Sequence, residues 1–86
     1  MKEKRGGVRT PIKTEVEITS ELLGAVTAYT RELSDSGAFI ESTTLTSLSI
    51  GSRVTIQAQG FPESMPLLDA EVVRTEKEGI ALRFIL

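Results

Sequence analysis

The stretch PIKTEVEI, from Pro11 to Ile18, alternates two kinds of residue. After the proline, every second position holds an apolar residue or threonine, and a charged residue stands at each position between them. Successive side chains of an extended chain point to opposite faces, so this pattern predicts a strand with one buried and one solvated face. The positions that we expect to face the core are Ile12, Thr14, Val16 and Ile18.

The same alternation returns in the second half of the chain and predicts three further strands. A loop from Gly60 to Pro66 holds two of the three prolines. The polar link from Thr75 to Gly79 is typical of a hairpin connection. The Ser/Thr-rich stretch from Thr43 to Ser49 is predicted to be a loop. The inward positions of these strands are Val54, Ile56 and Ala58, then Leu68, Ala70 and Val72, then Ile80, Leu82 and Phe84.

The segment from Glu21 to Leu33 allows two interpretations. Its large apolar residues stand at helical spacings, and Ser20 precedes them at a position suited to a helix N-cap. Gly24 and the β-branched and aromatic residues from Val26 to Thr30 favour a pleated surface instead. We therefore predict a strand over this segment.

A turn from Ser34 to Gly37 and a short strand from Ala38 to Glu41 complete a set of six predicted strands. A chain of 86 residues forms one domain and is too short for two large packed sheets. We therefore predict an all-β fold, a small six-stranded antiparallel β-barrel, in which closure pairs the edge strands. The single domain spans residues 1–86, with a flexible basic N-terminal arm at residues 1–10 and the barrel at residues 11–86.

The composition excludes several functions. No apolar run approaches the roughly 20 residues that span a bilayer, so we expect a cytoplasmic protein without membrane insertion. The chain has no cysteine and no histidine. Their absence removes thiolate nucleophiles, the usual zinc sites and a histidine general base. We expect a protein that is not an enzyme and carries no cofactor.

The basic residues are concentrated at the N-terminus, although the net formal charge of the chain is -2. Such an end is either an ordinary solvated terminus or a flexible arm that binds an anion. The negative net charge argues against DNA or RNA as a partner, because duplex binding needs a broad basic face. Half of the ten basic residues are Lys2, Lys4, Arg5, Arg9 and Lys13.

Two polar motifs are not explained by the packing of a barrel. The stretch RGGVR, from Arg5 to Arg9, has the spacing R-x-x-x-R, and ELSDSG, from Glu32 to Gly37, is close to [D/N]-x-S-x-x-G. One precedes the first predicted strand and the other lies at the turn between the second and third, and in this arrangement they resemble the motifs of the PilZ family. The resemblance extends to Leu48–Gly51, before a strand, and to a closing strand at Gly79–Phe84, so it covers nearly the whole chain.

The PilZ family consists of small β-barrel domains that bind the bacterial second messenger cyclic di-GMP. The resemblance therefore implies a receptor for this ligand that changes its N-terminal arm and surface on binding and thereby regulates a partner effector protein. The ligand-binding residues that it implies are Arg5, Arg9, Glu32, Ser34 and Gly37.

The chemistry of these residue types suits a cyclic dinucleotide. An arginine fork can bond guanine O6 and N7, clamp a phosphate or lie flat on a purine. Arg5 and Arg9 point to the same side of an extended chain, so both can face one ligand. A carboxylate at Glu32 can accept from the donor edge of guanine, and the hydroxyl of Ser34 can reach a phosphate or a base. Gly37 would let the turn adopt a left-handed conformation near the ligand.

The sequence departs from the family pattern at two positions. Glu32 stands where Asp or Asn is usual, and Ala38 follows Gly37 where a second glycine is frequent. The longer side chain of Glu32 keeps open a second hypothesis, an adaptor that binds no nucleotide and acts by protein contact alone. A barrel for single-stranded nucleic acid needs exposed aromatic residues, whereas Phe39 and Phe84 are predicted to lie in the core. A hydrolase that uses Glu32 and Asp35 is disfavoured, because neighbouring acids in a turn are usually solvated.

Overall fold

The computed structural model describes residues 13–85 of the chain. Six strands carry nearly all of its regular structure, as the alternation predicts, and one short 3-10 helix lies between the third and fourth strands. The elements are β1 (Glu15–Ser20), β2 (Gly24–Leu33), β3 (Gly37–Glu41), the 3-10 helix (Thr44–Ser47), β4 (Arg53–Ala58), β5 (Leu68–Glu76) and β6 (Gly79–Phe84).

The strands close into a barrel in the order β1-β2-β3-β6-β5-β4, and every neighbouring pair is antiparallel. Pairing of β1 with β4, which places Val16 opposite Ala58, completes the ring. Each of the six strands thus has a partner on both sides, which protects Val-, Ile- and Thr-rich segments from edge-to-edge association. The predicted six-stranded antiparallel barrel is confirmed.

The interior of the barrel is filled by the apolar half of each alternating strand. Ile18, Ile40 and Ile80 are fully buried at 0% exposure, and burying a side chain of this size contributes roughly 1.5–3 kcal/mol. The core cluster consists of Val16, Ile18, Ala28, Ala38, Ile40, Leu45, Leu48, Val54, Ile56, Ala70, Val72, Ile80 and Leu82.

The helix considered for residues 21–33 is wrong, and the predicted strand is confirmed for Gly24–Leu33. Ser20 caps a tight turn rather than a helix, since its hydroxyl accepts a hydrogen bond from the amide of Leu23 at 3.0 Å. Gly24 then adopts a φ of 69°, which the turn requires and which an L side chain rarely adopts. The leucines at helical spacing thus belong to a hairpin and not to a helix.

The loop predicted for Thr43 to Ser49 is only partly correct, because Thr44–Ser47 forms a 3-10 helix. The hydroxyl of Thr46 donates to the carbonyl of Thr43 at 2.6 Å. Leu45 and Leu48, on and just after this helix, are 0% and 3% exposed and belong to the core cluster. The segment therefore covers one end of the barrel with two leucines.

The boundaries of two other elements also differ from the prediction. The first strand begins at Glu15 rather than Pro11, and Pro11 and Ile12 lie outside the described residues. The hairpin connection is shorter than predicted, because β5 continues to Glu76 and pairs there with Gly79.

Two β-bulges interrupt the alternation. In β2, Thr30 pairs with Ile40 and Glu32 pairs with Phe39, which leaves Arg31 as the extra residue. In β5, Val72 pairs with Leu82 and Arg74 pairs with Ala81, which leaves Val73 as the extra residue. An extra residue shifts every following side chain to the other face of a strand.

One end of the barrel, which we call the site end, gathers the turn between β2 and β3, the beginning of β1 and the end of β6. The amide of Phe84 donates to the carbonyl of Ser36 at 2.8 Å, and the amide of Thr30 donates to the carbonyl of Thr14 at 2.9 Å. The hydroxyl of Thr30 accepts in turn from the amide of Thr14. The chain therefore approaches β1 alongside β2. The arm predicted for residues 1–10 lies outside the described residues.

Candidate functional site

The turn between β2 and β3 is organised by Ser34. Its amide donates to the carbonyl of Gly37 at 2.9 Å. Its hydroxyl oxygen accepts from the amides of Gly37 at 3.2 Å and Ser36 at 3.3 Å. A hydroxyl bonded to following amides holds a tight turn in one conformation. In the free protein the Ser34 side chain therefore shapes the site.

Gly37 does not have the left-handed conformation that the sequence suggested, because positive φ angles among the described glycines occur only at Gly24, Gly51 and Gly60. Glycine is required at position 37 for a different reason. A Cβ at Gly37 would lie deep inside van der Waals contact with the backbone carbonyl oxygen of Leu82 and 3.3 Å from the Cα of Arg83. The close approach of β3 to β6 requires the absence of a side chain here.

An open groove of about 260 Å³ lies on the outer surface of the barrel beside this turn. A row of directly paired residues crosses it over four strands: Glu32 pairs with Phe39, Phe39 with Ala81, and Ala81 with Arg74. Paired residues share a face of the sheet, so all four point outward. The groove is lined by Glu32, Leu33, Ser34, Ser36, Gly37, Ala38, Phe39, Val73, Arg74, Ala81, Leu82 and Arg83.

The two bulges bring charged side chains to this row. Regular alternation from the inward Thr30 would place Glu32 inside the barrel, and regular alternation from the inward Val72 would do the same to Arg74. The extra residues Arg31 and Val73 turn both charges outward. The groove thus has a carboxylate at one side and a guanidinium at the other.

Phe39 is buried, at 6% exposure, but it is not a member of the core cluster. The prediction that Phe39 is buried is confirmed, although the residue lies outside the cluster that fills the barrel. Its ring lies under the guanidinium of Arg31, at 4.4 Å from the ring centroid to Cζ. Phe84 is partly buried and packs against the core cluster, close to the prediction.

Arg31 is held by two carboxylates. Its Nε donates to Glu41 at 2.9 Å and its Nη2 donates to Glu78 at 3.1 Å. The hydrogen bond to Glu41, followed by that to Glu78, raises the pKa of Arg31 above its ordinary value. An arginine side chain stays charged in a folded protein. A change of pH near neutrality therefore leaves the charge of Arg31 unchanged.

Two further arginines stand at the groove with carboxylate partners. Arg83 donates to Glu71 and Arg74 donates to Glu76 at 2.7 Å. These ion pairs are largely solvent-exposed, so each contributes little to stability and can exchange for an incoming anion.

Of the residues predicted for ligand binding, the structure brings Glu32, Ser34 and Gly37 together at the groove. Arg5 and Arg9 lie outside the described residues. Sequence reasoning missed Val73 and Arg74, which line the groove from β5, and Arg83, which lines it from β6 directly beside Gly37. The consecutive valines at 72 and 73 were the available signal, since they break the alternation where the bulge occurs.

Residues 13–85 contain neither a metal-binding cluster nor a membrane-spanning helix. They contain no group of three or more Asp or Glu side chains placed to hold a metal ion. No helix in this part of the chain is long and apolar enough to cross a membrane.

The fold and the groove define a class of protein, a small closed β-barrel whose candidate ligand site lies on its outer surface at one end. The family model for the PilZ domain matches residues 1–86, and the chain belongs to the PilZ domain family. PilZ domains are known as receptors and adaptors for cyclic di-GMP rather than as catalytic domains.

Solved structures agree with this fold. The PilZ domain of CeSA from a cellulose-synthesizing bacterium has a TM-score of 0.77 and 24% identity, over 92% of this chain and 81% of that one. The Bacillus subtilis inhibitor of motility, MotI/DgrA, has a TM-score of 0.67 and 16% identity, over 98% of this chain and 44% of that one. No curated protein matches the chain.

Proposed function

We propose that this protein is a cytoplasmic receptor for cyclic di-GMP that binds the dinucleotide between the R-x-x-x-R arm and the groove beside the turn from Ser34 to Ser36. The observation that carries the proposal is the convergence of Glu32, Ser34 and Gly37 on one groove, in a chain that also has Arg5 and Arg9. Family membership supports the same ligand.

The groove offers complementary chemistry to the dinucleotide. The carboxylate of Glu32 is an acceptor for the N1-H and N2-H edge of guanine, and arginine side chains are suited to its O6 and N7 atoms and to phosphate. Arg74 on β5 and Arg83 on β6 add positive charge to the groove. An anion of charge -2 is thereby met by cations on more than one side.

The arm is attached close enough to reach the groove. The chain is fixed to β2 at Thr14 by its hydrogen bonds with Thr30, two residues before Glu32. Arg9 is five residues from Thr14, so an extended chain carries its Cα up to about 17 Å from that point. Binding then orders the arm over the groove, and the surface that this creates is read by an effector protein.

Isothermal titration of the wild-type protein with cyclic di-GMP tests the proposal. Binding at micromolar concentrations or below is the expected result, and the stoichiometry reports whether one or two nucleotides occupy the groove. Titration with GMP serves as the control, because a single nucleotide lacks the second base and phosphate. A flat titration with cyclic di-GMP would overturn the proposal.

Glu32→Asp is expected to bind cyclic di-GMP about threefold to tenfold more tightly than the wild type, because one fewer side-chain torsion is immobilised on binding. The measurement is the ratio of the two dissociation constants from parallel titrations. Glu63→Asp makes the same chemical change in the loop between β4 and β5 and is expected to leave the affinity unchanged. Weaker binding by Glu32→Asp would show that the longer side chain is the better fit here.

A second candidate function, an adaptor that acts by protein contact without nucleotide, is favoured by a separate observation. The loop between β4 and β5 joins strands at the site end, since Gln59 there donates to the carbonyl of Glu15. Phe61 and Leu67 in this loop are 51% and 63% exposed, and Leu68 follows them at 43%. A protein that binds no cyclic di-GMP but retains a partner through this apolar loop would support this candidate.

A further inference from the structure

We propose that Arg31 is a positioning residue for the nucleotide site: by pinning the bulge in β2, it holds Glu32 on the outer face of the barrel before the ligand arrives. The inference rests on the proposed function and deepens it, since it identifies what prepares the Glu32 side of the groove.

The first step is the geometry of the bulge. Arg31 and Glu32 together stand opposite the single residue Phe39, whereas Thr30 before them pairs regularly with Ile40. In a bulge of this kind both residues of the bulged strand lie on the same side as the residue they oppose. Loss of the bulge would move Glu32 to the inner face and Leu33 to the outer face. Leu33, which now packs against the core, would leave it.

The second step is what holds the bulge. The Arg31 guanidinium stacks on Phe39, at 4.4 Å from the ring centroid, and donates to Glu41 at the end of β3 and to Glu78 in the turn between β5 and β6. One side chain thus ties the bulge at two points to β3 and at a third to the turn between β5 and β6. Lysine has neither the planar surface nor the two divergent donors for this arrangement.

The third step is the support beneath the aromatic ring. A Cβ at Gly79 would stand 3.0 Å from Cε1 of Phe39, so the backbone of β6 comes close to the ring from another side. Phe39 is 6% exposed and also lines the groove. Phe39 thus has little freedom to move, and it offers Arg31 a fixed surface on which to stack.

Arg31 itself does not line the groove. Its donors are directed to Glu41 and Glu78, away from the turn that Ser34 organises. Its effect on ligand binding therefore passes through Glu32, its neighbour in the chain, and this distinguishes it from Arg74 and Arg83.

A ligand-free experiment tests the positioning directly. Arg31→Ala and Arg31→Lys are compared with the wild type by amide chemical shifts, with Arg53→Ala as the control on β4. We expect Arg31→Ala to shift the amides from Glu32 to Phe39 while those of β1 and β4 stay in place, with a smaller change for Arg31→Lys. Unchanged shifts from Glu32 to Phe39 would overturn the inference. If Arg31→Ala fails to fold, Glu78→Gln removes one anchor and is expected to shift the same amides less.

A double-mutant cycle tests the route through Glu32. In the wild-type background, Arg31→Ala is expected to weaken cyclic di-GMP binding about tenfold and Arg31→Lys less. In a Glu32→Ala background, followed by NMR titration so that weak binding is measured, Arg31→Ala is expected to change the affinity less than about twofold. An undiminished tenfold loss in that background, or no loss in the wild-type background, would overturn the inference. A wild-type protein that binds no nucleotide would overturn the proposed function instead, and the chemical shifts would still report on Arg31.

Discussion

Gly37→Ala is expected to lower the stability of the free protein by about 3 kcal/mol, because the added Cβ overlaps the backbone carbonyl oxygen of Leu82. That oxygen belongs to the sheet and cannot rotate away as the end of a side chain can. The two strands must therefore separate where Gly37 pairs with Arg83. For a domain of this size, thermal unfolding followed by circular dichroism should show a Tm lower by roughly 12 to 24 °C.

Gly24→Ala is the matched control for this prediction. Gly24 has a φ of 69° but no atom within 4 Å of an added Cβ, so alanine there meets backbone strain without a clash. A left-handed alanine costs about 1–2 kcal/mol, and the expected Tm loss is correspondingly smaller. Equal losses in the two variants would contradict the steric explanation of Gly37. The Gly37 variant should also bind nucleotide more weakly, because the turn that it displaces is bonded to β6 through Phe84 and Ser36.

The second large effect is expected for Arg5→Ala combined with Arg9→Ala. Each arginine can make charge-assisted hydrogen bonds to phosphate or guanine, worth roughly 1.5–3 kcal/mol apiece. Losing one such bond at each position weakens cyclic di-GMP binding by a factor on the order of 10² to 10⁴. The measurement is a titration of the double variant alongside the wild type. Its Tm without ligand is expected to stay within about 2 °C of the wild-type value, because the motif precedes the predicted barrel and is not expected to contribute to its core.

The control for the arm removes the same charge at other positions. Lys2→Ala combined with Lys4→Ala also deletes two cations from the segment before the barrel, but outside the R-x-x-x-R motif. Long-range attraction alone then changes the affinity by only about threefold at physiological salt. Equal losses for the two double variants would mean that net charge, rather than arginine geometry, attracts the ligand. A large fall in Tm for the arginine variant would assign Arg5 and Arg9 a structural role instead.

The strand pattern of this chain was predictable because burial is one-sided. Where one face of a strand meets the core, a period of two is enforced at each position, as Val16 and Ile18 in β1 and Val54 and Ile56 in β4 show. Barrel closure followed from the number and shortness of the strands. The helical spacing from Leu22 to Leu33 would predict a buried helix face, but Leu22 is 70% exposed in the hairpin. The β-branched residues of this segment were the better guide to its secondary structure.

Alternation alone did not predict the two bulges or the face on which several site residues lie, although the consecutive valines at 72 and 73 interrupt it. In β2 two consecutive charged residues, Arg31 and Glu32, follow the inward Thr30, and only the register against β3 shows that Arg31 is the extra residue. The strand pattern correctly predicts that Phe39 is buried, but it does not indicate that the residue lies outside the core cluster. Its burial under a guanidinium on the outer face depends on Glu41 and Glu78, and Glu78 is distant in sequence.

The structure requires glycine at position 37 for a reason that differs from the one that the sequence suggested. A turn glycine suggests a positive φ angle, because a turn is a local feature that the sequence displays. The actual constraint at Gly37 is the approach of β6, which contacts β3 only after the barrel has formed. A local sequence pattern carries no information about how strands that are distant in sequence pack against each other.

The closing seam between β1 and β4 has a consequence for how the chain folds. Hairpins such as β1-β2 and β5-β6 join neighbours in sequence, but the pairs Val16–Ala58 and Gly37–Arg83 each join residues separated by about half of the chain. Each of these pairings requires a long loop to close, and the loss of loop entropy comes before the paired residues form stabilising contacts. Small β-barrels dominated by distant pairings fold on the order of milliseconds to seconds, far more slowly than helical bundles. Until the seam closes, β1 and β4 expose open edges, so the interval between synthesis and closure is when this chain is most vulnerable to aggregation.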